Sequence, residues 1–438
     1  MIINRKVEAL LLIVFCLLCE YKNYFWFCKI YYENKKNKIS IAIFANSLKN
    51  GGAERQTSLL FYYFNKLKIF NLFLFTKKEK EKNEYIIDDN VKRIVIKNNL
   101  VQILKENYID IFIYQIYTIK EIQQLNNFSK TKTIFIDRSC FLFWIYSNSY
   151  NILNSIYKAY KHCKYIISLV PFENDYLFKK WGINSILMND FITYGYNSIK
   201  PSDLSSKTIL MIGRGDDPYK RFELGINAMS HIINEIPECE MKIISKIKHN
   251  NLKNLVNKLN INKNIKFVGY FSDPSFFFKN ASLHLFPSVA EAFPSVLSET
   301  LIYGIPNILV GLDYVSAAKG GTVIIYDDSP ISIAKIAIKI LKNKRYRKKL
   351  GKEARYNMKK FKNYLLLEKW VKLILSIYKG ESFYEELRNS YSKLSEEESL
   401  KIINNQIKLL KLREKKFQNI TINDIENFTF IKNIGKKM

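Results

Sequence analysis

Ile41-Ala42-Ile43-Phe44-Ala45-Asn46-Ser47-Leu48-Lys49-Asn50-Gly51-Gly52-Ala53-Glu54-Arg55 passes from an apolar run through a polar turn to a glycine pair that opens an amphipathic segment. Thr208-Ile209-Leu210-Met211-Ile212-Gly213-Arg214-Gly215-Asp216-Asp217-Pro218-Tyr219-Lys220-Arg221 repeats that order in the second half of the chain. A short apolar run, a glycine-bearing loop and a helical period make up the unit of a parallel sheet, since parallel neighbours need a crossover connection. Two such openings imply two doubly wound halves, a duplication of architecture rather than of sequence.

The same alternation continues outward from both stretches. Strands are expected at Ile41–Ala45, Asn71–Phe75, Arg93–Ile96, Ile109–Tyr114, Thr133–Ile136 and Tyr165–Leu169, and helices at Glu54–Asn65, Asn151–His162 and Phe172–Trp181. Lys200-Pro201-Ser202-Asp203, within the polar stretch Ser198–Ser206, is a linker signal. Beyond it strands are expected at Thr208–Ile212, Met241–Ile244, Ile265–Val268, Leu283–Phe286, Asn307–Val310 and Thr322–Ile325. Helices are expected at Arg221–Ile233, Leu252–Asn260, Pro294–Tyr303, Ile331–Leu341, Arg345–Lys360 and Tyr364–Tyr378. A chain of 438 residues is too long for one ordinary core. It divides into an apolar N-terminal segment (1–37), a first α/β domain (38–205), a second (206–362), a helix at 363–380 and a charged helical tail (381–438).

Net charge is +29, which favours an acidic partner: nucleic acid, an anionic membrane face or a phosphorylated ligand. Lysine is used along the whole chain, and no common nucleic-acid module is present, so nucleic acid is not expected. The six cysteines, Cys16, Cys19, Cys28, Cys140, Cys163 and Cys239, lack metal-ligand spacing and form no disulfide framework, which fits a reducing location. Ala9–Cys19 is apolar but shorter than the roughly 20 residues of a spanning helix. Aromatic Tyr24–Tyr32 follows, then Lys35, Lys36 and Lys38, so an interfacial anchor facing the cytoplasm is favoured over a secretory signal. In the tail, Ser395-Glu396-Glu397-Glu398 is a capping box. Leu400, Ile403, Ile407 and Leu410 share a face of the helix it opens, which either docks on the protein or addresses a membrane or partner.

Three constellations could carry chemistry. Gly51 and Gly52 open a helix after a strand, where free N–H groups and the positive dipole end suit a phosphate, although a glycine turn with no ligand is as common. Arg214 and Lys220 sit on a loop between strand and helix, offering a planar fork and a compact ammonium to a diphosphate, or else only a solvated pair of loop cations. Pro287-Ser288-Val289-Ala290-Glu291-Ala292-Phe293-Pro294-Ser295-Val296-Leu297-Ser298-Glu299 is the most specific. It places Glu291 in a loop and Glu299 in the second turn of the following helix, with helix N-terminal amides between them.

Together these residues resemble the family 4 retaining glycosyltransferases, of GT-B fold, over roughly Lys38 to Tyr378. The resemblance implies two Rossmann-like domains facing a cleft, joined by a C-terminal crossover helix that Phe361–Trp370 resembles. By that likeness Glu291 contacts the transferred sugar, Glu299 holds the nucleotide ribose, and Phe293, Pro294 and Ser295 lie beside the phosphates. Arg214 and Lys220 match the family's paired diphosphate-binding cations, and Gly51 and Gly52 its glycine loop. Many relatives place a histidine in a loop of the first domain, where this chain has Asp137 and Arg138. His284, between Leu283 and Leu285, is expected to be a core strand residue. Lys319-Gly320-Gly321-Thr322 replaces the commoner loop of the second domain, where the donor sugar is read.

The implied partners are a nucleotide-diphosphate sugar and a glycan or lipid-linked acceptor at a membrane surface. No cofactor is expected, and with no Asp-x-Asp motif in the chain no metal is expected either. The competing classes are a sugar-binding scaffold without activity, another two-Rossmann-domain enzyme such as an epimerase or phosphorylase, and a basic nucleic-acid binder. Deletion of residues 1–37 should yield a more soluble protein that still binds donor but acts poorly on a lipid-presented acceptor. Membrane fractionation checks it, and full retention after deletion would move the anchor to the tail.

Overall fold

The computed structural model describes residues 38–115, 124–125, 130–138, 157–380 and 395–413, save positions 50, 98, 196–197, 216, 247–249, 272, 318–319, 328 and 360. The anchor expected in 1–37 lies outside the described residues, as does the part of the Asn151–His162 helix before residue 157. No helix among the described residues is long and apolar enough to cross a membrane.

The first domain contains β1 (Ile39–Phe44), α1 (Gly52–Leu67), β2 (Phe70–Thr76), β3 (Lys92–Val95), α2 (Leu100–Glu106), β4 (Ile111–Tyr114), β5 (Lys132–Ile136), β6 (Tyr165–Ser168), α3 (Pro171–Trp181) and β7 (Ile186–Leu187). Its strands pair in the order β3-β2-β1-β4-β5-β6-β7, all parallel. β1 and β4 lie centrally and are covered on both faces. Hence Ile39, Ile41, Ala42, Ile43, Ile111, Phe112 and Ile113 are wholly buried, and these strands read as continuous apolar runs instead of alternating ones. The two-residue β7 is too short to leave a periodic signal and was not expected from the sequence.

The second domain contains β8 (Thr208–Ile212), α4 (Phe222–Glu235), β9 (Glu240–Ile244), α5 (Asn251–Lys258), β10 (Ile265–Gly269), α6 (Ser275–Phe278), β11 (Leu283–Phe286), α7 (Ser295–Ile302), β12 (Asn307–Val310), β13 (Thr322–Ile325), α8 (Pro330–Lys342) and α9 (Lys344–Met358). The order is β10-β9-β8-β11-β12-β13, again parallel throughout, which is the Rossmann order with its switch point between β8 and β11. The linker is not loose. Ser202 binds the Tyr303 carbonyl through its backbone at 2.8 Å, and Arg347 and Arg355 donate to the carbonyls of Leu204 (2.9 Å) and Ile199 (2.8 Å).

After α9 the chain returns to the first domain as α10 (Asn363–Lys379). Leu367, Trp370, Val371 and Ile374 join the core cluster built from β1, β2 and α1, and the Trp370 ring meets Phe64 edge-on at 5.8 Å. Asn363 brackets Ile192, accepting its N–H at 2.8 Å and donating to its carbonyl at 2.7 Å. The tail helix α11 (Glu396–Arg413) docks on the second domain, with Ile403 of the expected apolar stripe at the contact and Leu400 at its margin. Ile402, Ile403 and Asn405 are buried, with Asn405 donating to Gly311 O at 2.6 Å, while Leu400 is exposed. One hydrogen-bonded polar residue thus shares the contact with the stripe; Ile407 and Leu410 have no described side-chain placement.

His284 on β11 is fully buried, as expected of a core strand residue, with Nδ1 against Asn307. Burial pushes its pKa down to about 4, against the pull of the Asn307 hydrogen bond. An unfolded histidine titrates near 6.5, so it takes up a proton that the folded one refuses. His284 therefore lets stability persist above that pH and lose about 3 kcal/mol as the pH falls through the folded value. Urea unfolding at pH 7 and pH 4.5 checks this, and a His284→Gln variant should lose that part of the slope.

Candidate active site

Because both sheets are parallel, every strand delivers its following loop to one edge, and a ligand crevice forms where those carboxyl-terminal edges face each other. From the first domain this edge carries the β1–α1 loop, Asp137 and Arg138 after β5, and the segment after β7. From the second come the loops after β8, β11 and β12.

The loop after β8 turns through a 3-10 helix, Pro218–Lys220, started by the Asp217 side chain accepting from Tyr219 N at 3.0 Å. Gly213 leaves room for the Lys220 stem, whose carbons lie 3.5 Å from where a Cβ at 213 would stand. The Lys220 ammonium pairs with the Glu291 carboxylate, and both side chains are largely buried. The Phe286 ring lies under the same ammonium with its centroid at 6.0 Å. Arg214 has a different partner: its guanidinium is exposed and donates to Asp217 at 2.8 Å. The two cations read from one loop thus hold separate carboxylates.

Glu299, in the second turn of α7, is fully buried. Its Oε1 accepts from Arg55 at 2.8 Å and from Thr193 at 2.7 Å, both of the first domain. Its Oε2 is buried with no hydrogen-bond partner among the described residues. Burial pushes the carboxyl above its ordinary range, and the charge of Arg55 and the Thr193 hydrogen bond pull it back in part. Burial likewise works against the Arg55 charge, but Glu299, Tyr85 and Tyr194 together outweigh it and hold the guanidinium above its ordinary range. The next residue, Gln56, bridges the domains more loosely, gripping Phe191 N and O at 2.9 Å and reaching Ser295 Oγ at 3.4 Å. Tyr194 donates to Asp273 at 2.5 Å beside this group.

Gly51 is the N-cap of α1 in extended backbone, and Glu54 folds back so that its carboxylate lies where a Cβ at 51 would be. Position 52 has open space at its missing Cβ, so the chain can be approached closely there. Pro294 caps α7, and Ala292 and Phe293 pack on the first domain's core, the Phe293 ring lying 6.2 Å from Phe361. The Glu291–Ser295 loop therefore touches the crossover as well as its own sheet.

Asp137 and Arg138 end β5 in tied positions. Asp137 is buried and accepts from Tyr160, and Arg138 donates through Nη1 to both Asp190 oxygens at 2.7 Å and through Nε to Gln115. Burial raises the Asp190 carboxyl and Arg138 draws it down. Nearby, Glu173 on α3 is buried and held well above the usual range by desolvation and then by the charge of Asp137. Gly320 and Gly321 are displaced from the place the resemblance gave their loop. They precede β13, at the opposite edge of the sheet, in left-handed backbone (φ 97° and 70°), and a Cβ at 321 would come within 2.4 Å of the Ala354 backbone. They let α9 close on the sheet and do not face the cleft.

Sequence reasoning assigned no role to Arg55, Thr193, Tyr194 or Asp273. Arg55 had a signal, since it directly follows the glycine loop; the others lie in plain loop sequence. The 3-10 helix Asp313–Ala317, after β12, also packs on α3, with Tyr314 OH donating to Ser288 O at 3.0 Å.

Residues 197–357 match the family model described as glycosyl transferases group 1. An uncharacterized glycosyltransferase of Haemophilus influenzae is 28% identical over 157 residues, which are 35% of this chain and 43% of that protein. The match thus spans less than half of that relative. Among solved structures, sucrose-phosphate synthase of Thermosynechococcus elongatus superposes with TM-score 0.65 at 15% identity, covering 78% of this chain and 100% of that one. A glycosyltransferase of Rickettsia africae gives 0.61 at 17%, over 81% and 100%. The Anabaena protein HepE, solved with UDP and glucose, gives 0.62 at 14%, over 77% and 100%. The second domain is a group 1 glycosyltransferase domain, and the two domains with their crossover helix have the GT-B fold.

Proposed function

We propose that this chain moves a sugar from a nucleotide-diphosphate sugar to a membrane-borne or glycan acceptor, with retention and without a metal. The observation that carries it is the pairing of Lys220 with Glu291 across adjacent loops at the edge facing the first domain. An ammonium held there by a carboxylate is placed to exchange that partner for a phosphate oxygen, which leaves Glu291 to accept from a sugar hydroxyl. The matched family model covers both residues, and HepE was solved with UDP and glucose.

In the reaction so read, the bond between the anomeric carbon and the diphosphate oxygen breaks as the acceptor oxygen bonds on the same face. The acceptor proton passes to the departing phosphate. Lys220, Arg214 and the amides opening α7 stabilise the growing negative charge by being in place beforehand. Arg214 must leave Asp217 to join them, which its exposure permits. Membrane presentation of the acceptor is supported by the apolar run Ala9–Cys19 and the lysines after it.

A panel of UDP-, GDP- and ADP-sugars tests the proposal. One series should raise the melting temperature, since a ligand held only by the folded state at 100 times its Kd stabilises it by about 2.7 kcal/mol. With that donor, Glu291→Gln should lower kcat more than affinity, and chelator should leave activity nearly intact. Manganese rescue of a chelated, inactive enzyme would overturn the metal-free assignment.

Lys220→Ala and Arg214→Ala should each lower turnover roughly 10²-fold. The double variant should fall short of the product, because both serve one leaving group. A double-mutant cycle on kcat/KM checks this, and losses below about threefold, under 1 kcal/mol, would return both to solvated loop cations.

A further inference from the structure

The contact between Glu299 and the first domain is unusual in its division of labour. Two donors, Arg55 at 2.8 Å and Thr193 at 2.7 Å, converge on a single oxygen, Oε1. The other oxygen is buried and accepts from nothing among the described residues. An acceptor left unsatisfied in a dry site costs free energy, about 1–3 kcal/mol and more when charged, so it marks a place where a ligand donor is worth most. Both donors lie on the opposite domain from Glu299. Parting the domains removes them together and uncovers the carboxylate; closing restores them.

We propose that Arg55 is a positioning residue for nucleotide binding: it occupies Oε1 of Glu299 on closure, so that Oε2 alone is presented to a ribose hydroxyl and the nucleotide is gripped only in the closed form. This rests on the assignment of Glu299 to the ribose made above. The first domain thereby takes part in orienting the nucleotide's partner through a residue that does not itself touch the ribose. Arg55 acts through Glu299, and Thr193 supports the same orientation.

The charged and titratable groups around Glu299 are Arg55 on α1, Tyr85 ahead of β3, Tyr194 after β7, Asp273 after β10 and Tyr303 after α7. Arg55 is the cation among them, and Asp273 works against the ionised carboxylate. Loss of Arg55 should therefore weaken the nucleotide and also move the acid limb of binding to higher pH, a change that loss of packing would not produce.

The test is calorimetry of UDP, GDP and ADP against the full chain from pH 5 to 8, with thermal unfolding as the folding control. For whichever nucleotide binds, Arg55→Ala should raise Kd tenfold or more, by about the worth of a charge-assisted hydrogen bond, and shift the acid limb upward. Arg55→Lys should recover part of the affinity and the original limb. Thr193→Val, which removes the second donor and keeps the volume, should raise Kd about threefold to tenfold without moving the limb. It also carries the test if Arg55→Ala does not fold, together with Arg55→Gln, which retains donors but not charge. Should Glu299→Ala abolish binding while Arg55→Ala and Arg55→Gln stay within about twofold, the positioning role falls and the ribose assignment stands. A tighter Kd in Arg55→Ala would equally overturn it, by showing that Arg55 competes with the nucleotide. A wild-type chain that binds none of the three, or a Glu299→Ala that binds normally, overturns the ribose assignment and this inference with it.

Discussion

Every feature of the molecule depends on the strands of both sheets running parallel and being covered on both faces. A parallel sheet leaves no face for water, so each strand must be followed by a segment that crosses back over it, and each crossover begins at the same edge. The strand orders β3-β2-β1-β4-β5-β6-β7 and β10-β9-β8-β11-β12-β13 therefore gather all functional loops at two edges. With two edges turned toward one another, residues far apart in the chain meet, as Arg55 and Glu299 do.

The contacts between the domains are of two kinds with different physical character. Along the crossover helix they are apolar: Trp370, Leu367 and Ile374 are buried against the first domain, and their dispersion and desolvation gains are insensitive to ligand. Across the cleft they are polar and directional, through Arg55, Thr193, Gln56 and Glu299. A directional contact is lost over a small displacement while an apolar one yields gradually. The cleft contacts are thus the more sensitive of the two to a small displacement of one domain against the other.

The same contrast explains which cations are poised for chemistry. Lys220 and Arg214 both follow β8, yet Lys220 is drawn inward by Glu291 and the Phe286 ring while Arg214 stays at the surface with Asp217. Arg138, the basic residue in the loop where relatives often carry histidine, is committed to Asp190 and Gln115. A second-domain loop that reads as glycine-rich, Gly320-Gly321, sits at the wrong edge for a ligand and instead admits α9. Composition alone does not separate these cases, because solvent, a carboxylate and a ligand all satisfy the same cation.

What the sequence by itself determined is the succession of strands and helices, the two-domain plan and the loops that carry Glu291, Glu299, Arg214 and Lys220. Those are local properties: period, turn chemistry and the motif's spacing are set by residues a few positions apart. The short elements β7, α2 and α6 escaped, because two, seven and four residues carry too little period to read. Only the tertiary structure decided who faces whom. That Arg55 reaches Glu299 across 244 positions, that Gly320-Gly321 lies opposite the cleft, and that Arg138 is spent on Asp190 follow from how crossovers stack and how the two sheets meet. Such pairings depend on burial and on which polar groups are left to satisfy, quantities that exist only once the chain has closed on itself.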